Sequence, residues 1–192
     1  MATQPAPVRR WTYEEFRALP DDGNRYEVIA GDLYMTPAPR PVHQRVAFQL
    51  GYLIETYIQE HDLGGWVIPG PVDVLLAEGD YLEPDLVYVR EDRLDTVTKR
   101  GVEGAPDLVV EVLSESTAAR DRGIKRQRYA WFGVPEYWVV DVDARQVEVY
   151  RLGEDPVRPR IERETLKWQP AADGPMVEIS VQKLMADLAR IK

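Results

Sequence analysis

One acidic residue stands inside the most apolar strand-like run of the chain. Residues 106–113 read Pro-Asp-Leu-Val-Val-Glu-Val-Leu, and Glu111 is embedded among them. A continuous run of branched apolar residues is typical of a strand that is covered on both faces of a sheet. An ionised carboxylate is costly there unless it is paired, hydrogen-bonded or bound to a metal ion. The run therefore predicts a doubly covered sheet and a chemical partner for Glu111.

The other sequence patterns predict an α/β fold, with a mixed β-sheet flanked by helices. Thr12 followed by Glu15 is a capping-box pattern and predicts a short helix over 12–19. Residues 26–35 predict a β-hairpin that turns at Gly31-Asp32. Apolar residues at helical spacing predict a long helix over 42–60. The further predicted elements are helices over 118–132 and 181–191 and strands over 66–68, 72–76, 136–141, 146–150, 160–164 and 176–179.

Composition limits the class of protein. A length of 192 residues predicts a single domain over 11–192, and the proline-containing residues 1–10 predict a flexible N-terminal tail. No apolar run approaches the ~20 residues that cross a bilayer, and no signal peptide is apparent, so we expect a cytoplasmic protein without a membrane partner. The absence of cysteine excludes disulfides and thiolate metal sites. A net charge of -9 argues against non-specific binding of nucleic acid, although a local basic face or a bound cation can reverse the sign.

A second strand-like run carries a carboxylate that can partner Glu111. Residues 83–89 read Glu-Pro-Asp-Leu-Val-Tyr-Val, with Asp85 directly before the apolar residues. On neighbouring strands, Asp85 and Glu111 would lie about 5 Å apart and could share one Mg²⁺ or Mn²⁺ ion. The alternative is that the acids lie at strand ends, solvated or salt-bridged. Asp107 lies ~13 Å along the strand from Glu111, too far to share the ion.

The helix after the Glu111 strand offers a cation. Asp121, Lys125 and Tyr129 follow one another at intervals of four and share a helix face. A lysine beside a metal site can orient the attacking water or stabilise charge on a phosphate. An ordinary Asp121–Lys125 pair on a solvated helix is the alternative.

Basic residues on the same helix, and two residues elsewhere, complete the candidates. The arginines of this helix predict a surface that contacts nucleic-acid phosphates, unless they are simply solvated. Glu27 and His43 are candidates for a further metal ligand or proton carrier, or for structural hydrogen bonds. The arginines are Arg120, Arg122, Arg126 and Arg128.

Several strings of this chain together resemble one protein family. The chain is similar to the Uma2 family of the PD-(D/E)XK restriction-endonuclease-like nuclease superfamily. The resemblance implies a restriction-endonuclease-like core and Mg²⁺-dependent hydrolysis of DNA phosphodiesters, with Asp85 and Glu111 as the metal-binding acids. The superfamily pattern expects lysine at the position of Leu113, and Lys125 is the substitute. The matching strings are Tyr26-Glu27, residues 31–35, 37–39, His43-Gln44, 84–87, 105–114, Asp121, Lys125, Tyr129 and 133–138.

These observations lead to two functional hypotheses. The first is a Mg²⁺-dependent endonuclease in which Asp85 and Glu111 hold the metal, Lys125 positions the attacking water, and Glu27 or His43 assists. The second is a catalytically inactive nuclease-fold module for DNA binding or protein assembly. A homodimer is expected, because two-fold dimers are the commonest soluble oligomers. For the endonuclease, two sites would also suit double-strand cleavage.

Overall fold

Two six-stranded sheets and a two-stranded hairpin make up the computed structural model, which describes residues 10–171 and 174–186. The helices are α1 (Tyr13–Arg17), α2 (Pro41–Glu60), α3 (Ala118–Arg120), α4 (Arg126–Trp131) and α5 (Val181–Ala186), with a 3₁₀ helix at Glu91–Thr96 and a π-helical turn at Asp121–Lys125. The strands are β1 (Arg25–Ile29), β2 (Asp32–Thr36), β3 (Trp66–Pro69), β4 (Val74–Ala77), β5 (Asp80–Leu82), β6 (Leu86–Val89), β7 (Val97–Thr98), β8 (Gly101–Glu103), β9 (Leu108–Val112), β10 (Glu136–Asp141), β11 (Gln146–Arg151), β12 (Arg160–Glu162), β13 (Thr165–Trp168) and β14 (Val177–Ser180).

The central sheet has the order β12-β11-β10-β9-β6-β3. Strands β9 and β10 run parallel and the other neighbours are antiparallel, so the sheet is mixed as predicted. Every residue of β6 and β9 is buried, including Glu111. The predicted pairing of the two acidic strands is confirmed, with Leu86 opposite Val110.

Two apolar layers cover the two faces of the central sheet. Helix α2 covers one face, together with the β13–β14 hairpin and α5. The outer sheet, ordered β2-β1-β5-β4-β8-β7, covers the other face together with Tyr129 of α4. Alternate residues of β9 enter different layers, Val110 towards α2 and Val109 towards the outer sheet. Central valines therefore pack on both sides, which explains the continuous apolar run.

The hairpin β1–β2 turns one residue earlier than predicted. Ile29 pairs with Asp32, so the turn consists of Ala30 and Gly31 and not of Gly31 and Asp32. Both turn residues have positive φ, 54° and 93°. A two-residue hairpin turn of this type requires positive φ at both positions, and the glycine supplies the second without a steric cost.

Other predicted elements are confirmed or revised. Thr12 caps α1 through the predicted capping box, and the long helix is α2. The polar stretch over 91–104 contains the 3₁₀ helix and the β7–β8 hairpin. Strand β13 was not predicted, because its exposed Lys167 interrupts a short apolar pattern. The predicted tail over 1–10 is outside the described residues except for Arg10, as is the predicted last helix beyond α5.

The basic helix predicted over 118–132 is interrupted. Its middle turn, Asp121–Lys125, is π-helical, between the short α3 and α4. Asp121 and Lys125 are both buried in this turn. Such turns insert a residue into the α-helical ladder and are frequent at functional sites. Over the residues that the structure covers, none of the helices combines the length and the apolar character needed to cross a membrane.

Candidate active site

Asp85 lies where the chain passes from the outer sheet to the central sheet, one residue before β6. Its backbone N–H donates to Val110 O at 3.1 Å, and its Oδ2 accepts from Val112 N–H at 2.8 Å. These two bonds fix Asp85 beside Glu111, which lies between Val110 and Val112. Both carboxylates line the same cavity. The structure therefore brings together the two acids that the sequence analysis paired.

Lys125 meets three carboxylates at the floor of this cavity. Its Nζ lies 2.7 Å from Glu27 Oε1, 2.8 Å from Glu111 Oε1 and 3.5 Å from Asp121 Oδ1. The tyrosine one turn further on, Tyr129, donates its hydroxyl to Glu111 Oε1 at 3.2 Å. The predicted shared face of Asp121, Lys125 and Tyr129 is thus directed at Glu111, and it is buried rather than solvated.

Glu27 reaches the cluster from β1 in the outer sheet. Besides Lys125, its Oε1 accepts from the backbone N–H of Glu83 at 2.9 Å. Its Oε2 lies 3.8 Å from Arg120 Nη2. The outer sheet thereby supplies a second carboxylate for the lysine, so that the cluster forms between the two sheets.

Asp85 has two cationic or protonatable neighbours. Arg25 Nη1 lies 3.0 Å from Asp85 Oδ1, and His43 Nε2 lies 3.0 Å from Asp85 Oδ2. Burial by itself would raise the pKa of Asp85, but His43, Arg25 and the Val112 N–H outweigh it and hold this pKa below its usual value. His43 Nδ1 is buried and has no hydrogen-bond partner.

The lysine cluster has the opposite electrostatics. Burial raises the pKa of Glu111 well above its ordinary value, with Lys125 opposing the shift and the carboxylates of Asp121, Asp85 and Glu27 adding to it. Burial also raises the pKa of Asp121, again against Lys125. For Lys125, burial lowers the pKa, but Glu111, Glu27 and Asp121 outweigh it and raise the pKa overall. The lysine therefore stays charged while its carboxylates compete for it.

The donor set of the cavity suits a hard cation. Mg²⁺ is commonly held by one or two carboxylates, with water and phosphate oxygens completing its shell. Asp85 and Glu111 are two such carboxylates, and Lys125 and Tyr129 both donate to Oε1 of Glu111. In the described parts of the chain, no group of three or more His, Cys, Asp or Glu side chains is arranged to hold a metal ion. A metal would therefore depend on these two acids, together with water and substrate oxygens.

The cavity has a volume of about 420 Å³ and a polar mouth. One side of the mouth is the segment 36–40, which follows β2. The other side is 114–117, which connects β9 to α3. Arg40 and Glu115 face each other across it, with Nη1 and Oε1 4.0 Å apart.

The arginines of the basic helix have partners within the fold. Arg122 Nη2 lies 2.6 Å from both Asp141 Oδ2 and Glu148 Oε1. Arg128 Nη2 lies 2.6 Å from Asp80 Oδ2.

The two remaining arginines also have partners within the fold. Arg126 Nε donates to Arg122 O at 2.9 Å. Arg120 donates to Thr36 Oγ1. The predicted contact of this helix with nucleic acid stays a prediction, and the intramolecular contacts supply a structural role for each residue.

The sequence analysis did not single out two residues of the site, Arg25 and Glu83. Arg25 binds both Asp85 and Glu83, whose Oε2 lies 3.3 Å from Arg25 Nε. The only local signal for Arg25 was its position just before the Tyr26-Glu27 pair, at the start of a predicted strand. Its role depends on residues 58 and 60 positions away, which no local pattern reports.

Comparisons with known proteins agree with this fold. The family model Uma2, described as "Putative restriction endonuclease", matches residues 13–182. The chain is also similar to a solved structure, a "putative nuclease belonging to DUF820" from Anabaena variabilis ATCC 29413. The TM-score is 0.75 at 18% sequence identity, covering 92% of this chain and 98% of that chain. No curated protein matches the chain significantly. The chain belongs to the Uma2 family and has the nuclease-like α/β fold that its sequence predicts.

Proposed function

We propose that this protein is a Mg²⁺-dependent endonuclease that hydrolyses DNA phosphodiester bonds. The observation that carries the proposal is the 2.8 Å contact of Lys125 Nζ with Glu111 Oε1, in the cavity that Asp85 also lines. The description of the family and that of the similar solved structure both name nucleases, which supports the same reading.

The proposed roles follow from the contacts of each residue. Asp85 and Glu111 would hold the metal, which when bound supplies Lewis-acid stabilisation of phosphate oxygens and an acidified water. Lys125 would position the attacking water and offset charge on the phosphate. Glu27 would hold Lys125 in place through their 2.7 Å contact. His43, which lines the cavity and bonds Asp85, would carry a proton between the reacting oxygens and solvent.

The decisive experiment uses circular DNA, which has no ends for an exonuclease. Supercoiled plasmid and a single-stranded circle are each incubated with the protein, with and without Mg²⁺. We expect at least one of them to be cut only when Mg²⁺ is present. Glu111→Gln should slow the reaction by at least about a hundredfold, because a bound metal ion contributes several kcal/mol of transition-state stabilisation.

The matched control is Glu178→Gln, which makes the same change at an exposed position of β14 that faces Lys167. It should cut at the wild-type rate. Equal rates for Glu111→Gln and the wild type would refute the assignment of the site, and cleavage that persists in chelator would refute the metal requirement.

A specific observation favours a second candidate, the non-catalytic module. Each of the buried acids already has a partner in the fold, Asp85 with Arg25 and His43, and Glu111 and Glu27 with Lys125. Calorimetric titration with Mg²⁺ or Mn²⁺ separates the candidates. Metal binding that Asp85→Asn abolishes supports the enzyme, and its absence supports the module.

We also propose that the protein forms a homodimer. Phe48 and Tyr52 of α2 and Trp66 of β3 are exposed apolar side chains. Helix α2 and the edge strand β3 pack against each other, so these elements are a candidate contact surface. Sedimentation equilibrium of the wild type and of Tyr52→Glu tests the dimer, which should dissociate in the variant.

A further inference from the structure

We propose that the site accepts a single, unpaired nucleic-acid strand and not an intact duplex, an inference that rests on the proposed nuclease function. The reactive groups lie at the floor of the cavity and are at most 6% exposed. The residues at the mouth are exposed. The floor residues are Glu27, Asp85, Glu111, Asp121 and Lys125. The exposed mouth residues are Pro37, Ala38, Arg40, Glu115 and Ser116.

The walls of the mouth restrict its width. Pro37 and Pro39 fix φ in one wall, which stiffens it. In the other wall, Ser114 Oγ lies 3.1 Å from Ser116 Oγ and 3.0 Å from Thr117 Oγ1, so these hydroxyls hold the loop together. The cavity volume of about 420 Å³ lies towards the small end of the ~300–1,000 Å³ range of small-molecule pockets. The cavity can hold a short piece of one strand.

The phosphates of an intact duplex cannot enter this cavity as the phosphates of a single strand can. The duplex phosphates lie on a convex surface, backed by stacked base pairs and the second strand. Enzymes that act on a base act on an unpaired strand or extrude the nucleotide into their pocket, and by analogy a phosphate that must reach a recessed site is more accessible on a strand free to bend. To bring a phosphate against Glu111, which is 4% exposed, a duplex would have to unpair, whereas a single strand can bend into the cavity.

The distribution of positive charge favours the same substrate. The net charge of -9 gives little bulk attraction for a duplex, and Arg122 and Arg128 of the basic helix are engaged by internal acids. Arg25, Arg40 and Arg120 line the cavity. Arg25 pairs with Asp85 and Glu83, and the exposed Arg40 lies 4.0 Å from Glu115 at the mouth. The Nε of Arg120 is buried and has no hydrogen-bond partner, so it is a donor available to a phosphate that enters.

The test compares a labelled oligodeoxynucleotide, free of self-complementarity, with the same strand annealed to its complement, in Mg²⁺. We expect the single strand to be cut at least about a hundredfold faster, which is the penalty for opening two base-pair steps. A third substrate, a duplex with an internal unpaired stretch, should be cut within that stretch. Duplex cleavage at the single-strand rate overturns this inference and leaves the proposed function standing.

If no substrate is cut, the proposed function fails, but the preference for a single strand can still be tested. The test is then DNA binding, measured without divalent metal. Fluorescence anisotropy should show tighter binding of the single strand than of the duplex. Arg40→Ala should weaken single-strand binding about threefold to tenfold and reduce the magnitude of its salt slope by about 0.7, as loss of one phosphate contact on a single strand predicts. Arg163→Ala, an exposed arginine between β12 and β13, should leave it unchanged. Equal binding of both DNA forms, or no binding, overturns the inference.

Discussion

Glu111 is an acid in the interior of a sheet, and its partner comes from another element. Taking a charge out of water costs several kcal/mol even after relaxation, and an ion pair offsets that cost only when its geometry is good. The ammonium group of Lys125 forms ion pairs with Glu111, Glu27 and Asp121 at the same time. The stability of the fold is therefore sensitive to the loss of Lys125, because Glu111 and Asp121 would lose their cation and Glu27 would keep only Arg120, at 3.8 Å.

We therefore expect Lys125→Met to destabilise the protein by about 3–5 kcal/mol at neutral pH, the usual cost of removing one partner of a buried ion pair. Because the pKa values of Glu111 and Asp121 are raised, protonation is easier in the folded state. Lys125 opposes both shifts, so its loss raises the two pKa values further. The variant should then gain more stability than the wild type as the pH falls, while both acids stay ionised in the unfolded chain until near pH 4.

Urea unfolding of the wild type and of Lys125→Met at pH 7.5 and pH 5.5 measures this difference. A gap between the two proteins that widens at the lower pH would contradict the assignment of charge in the cluster. Lys183→Met, at an exposed position of α5, is the control and should cost little at either pH.

At the scale of elements, neighbouring backbones hold the acids in place. Gly70 follows β3, and its N–H donates to Asp85 O at 2.8 Å. A Cβ at this position would lie 2.4 Å from Pro84 O and 3.1 Å from Asp85 Cα. The close approach of these two backbones requires the glycine, so the position of Asp85 depends on a residue that does not enter the cavity.

Gly70→Ala should displace the Pro84–Asp85 backbone and cost about 1–3 kcal/mol, the usual range for forced overpacking. Cleavage should fall as well, because small displacements of a reacting group cost rate. The control is Gly153→Ala, where an added Cβ meets nothing within 4 Å. Gly70→Ala with wild-type stability and rate would show that the two backbones have room to move apart.

Substitution of an arginine in the α3–α4 segment tests whether these residues have a structural role. Arg128 pairs with Asp80, which is 2% exposed and also accepts from Ala30 N–H. Arg128→Ala should cost about 2–3 kcal/mol, less than for a fully buried pair because the guanidinium is 25% exposed. Urea unfolding measures the loss. An unchanged stability combined with weaker DNA binding would favour the predicted nucleic-acid contact.

At the scale of the molecule, the site exists only where the two sheets meet. Glu27 belongs to the outer sheet, Glu111 to the central sheet, and Asp85 lies at the crossing between them. The apolar layer around Tyr129 contains residues of both sheets, including Ile29 and Val109. Neither sheet can bury its inner face alone, so the formation of the site is coupled to the packing of the whole domain.

This coupling predicts a single cooperative unfolding transition, which would also test the prediction of one domain over residues 11–192. Intrinsic tryptophan fluorescence and far-ultraviolet circular dichroism should report the same urea midpoint. Midpoints that separate by more than their errors would indicate that the sheets unfold independently. Adding Mg²⁺ should raise both midpoints together if the proposed metal binds only the folded state.

The sequence by itself determined the doubly covered strand, the long helix, the capping box and the group of Asp85, Glu111 and Lys125, because periodicity and an acid in an apolar run are local signals. Only the tertiary structure decided that Arg25 joins Asp85 and that the basic helix turns its charge inward. Arg128 and Asp80, for example, are 48 residues apart. Such partners depend on how the sheets pack. A run of basic residues has the same sequence whether its charges are solvated or paired with buried acids.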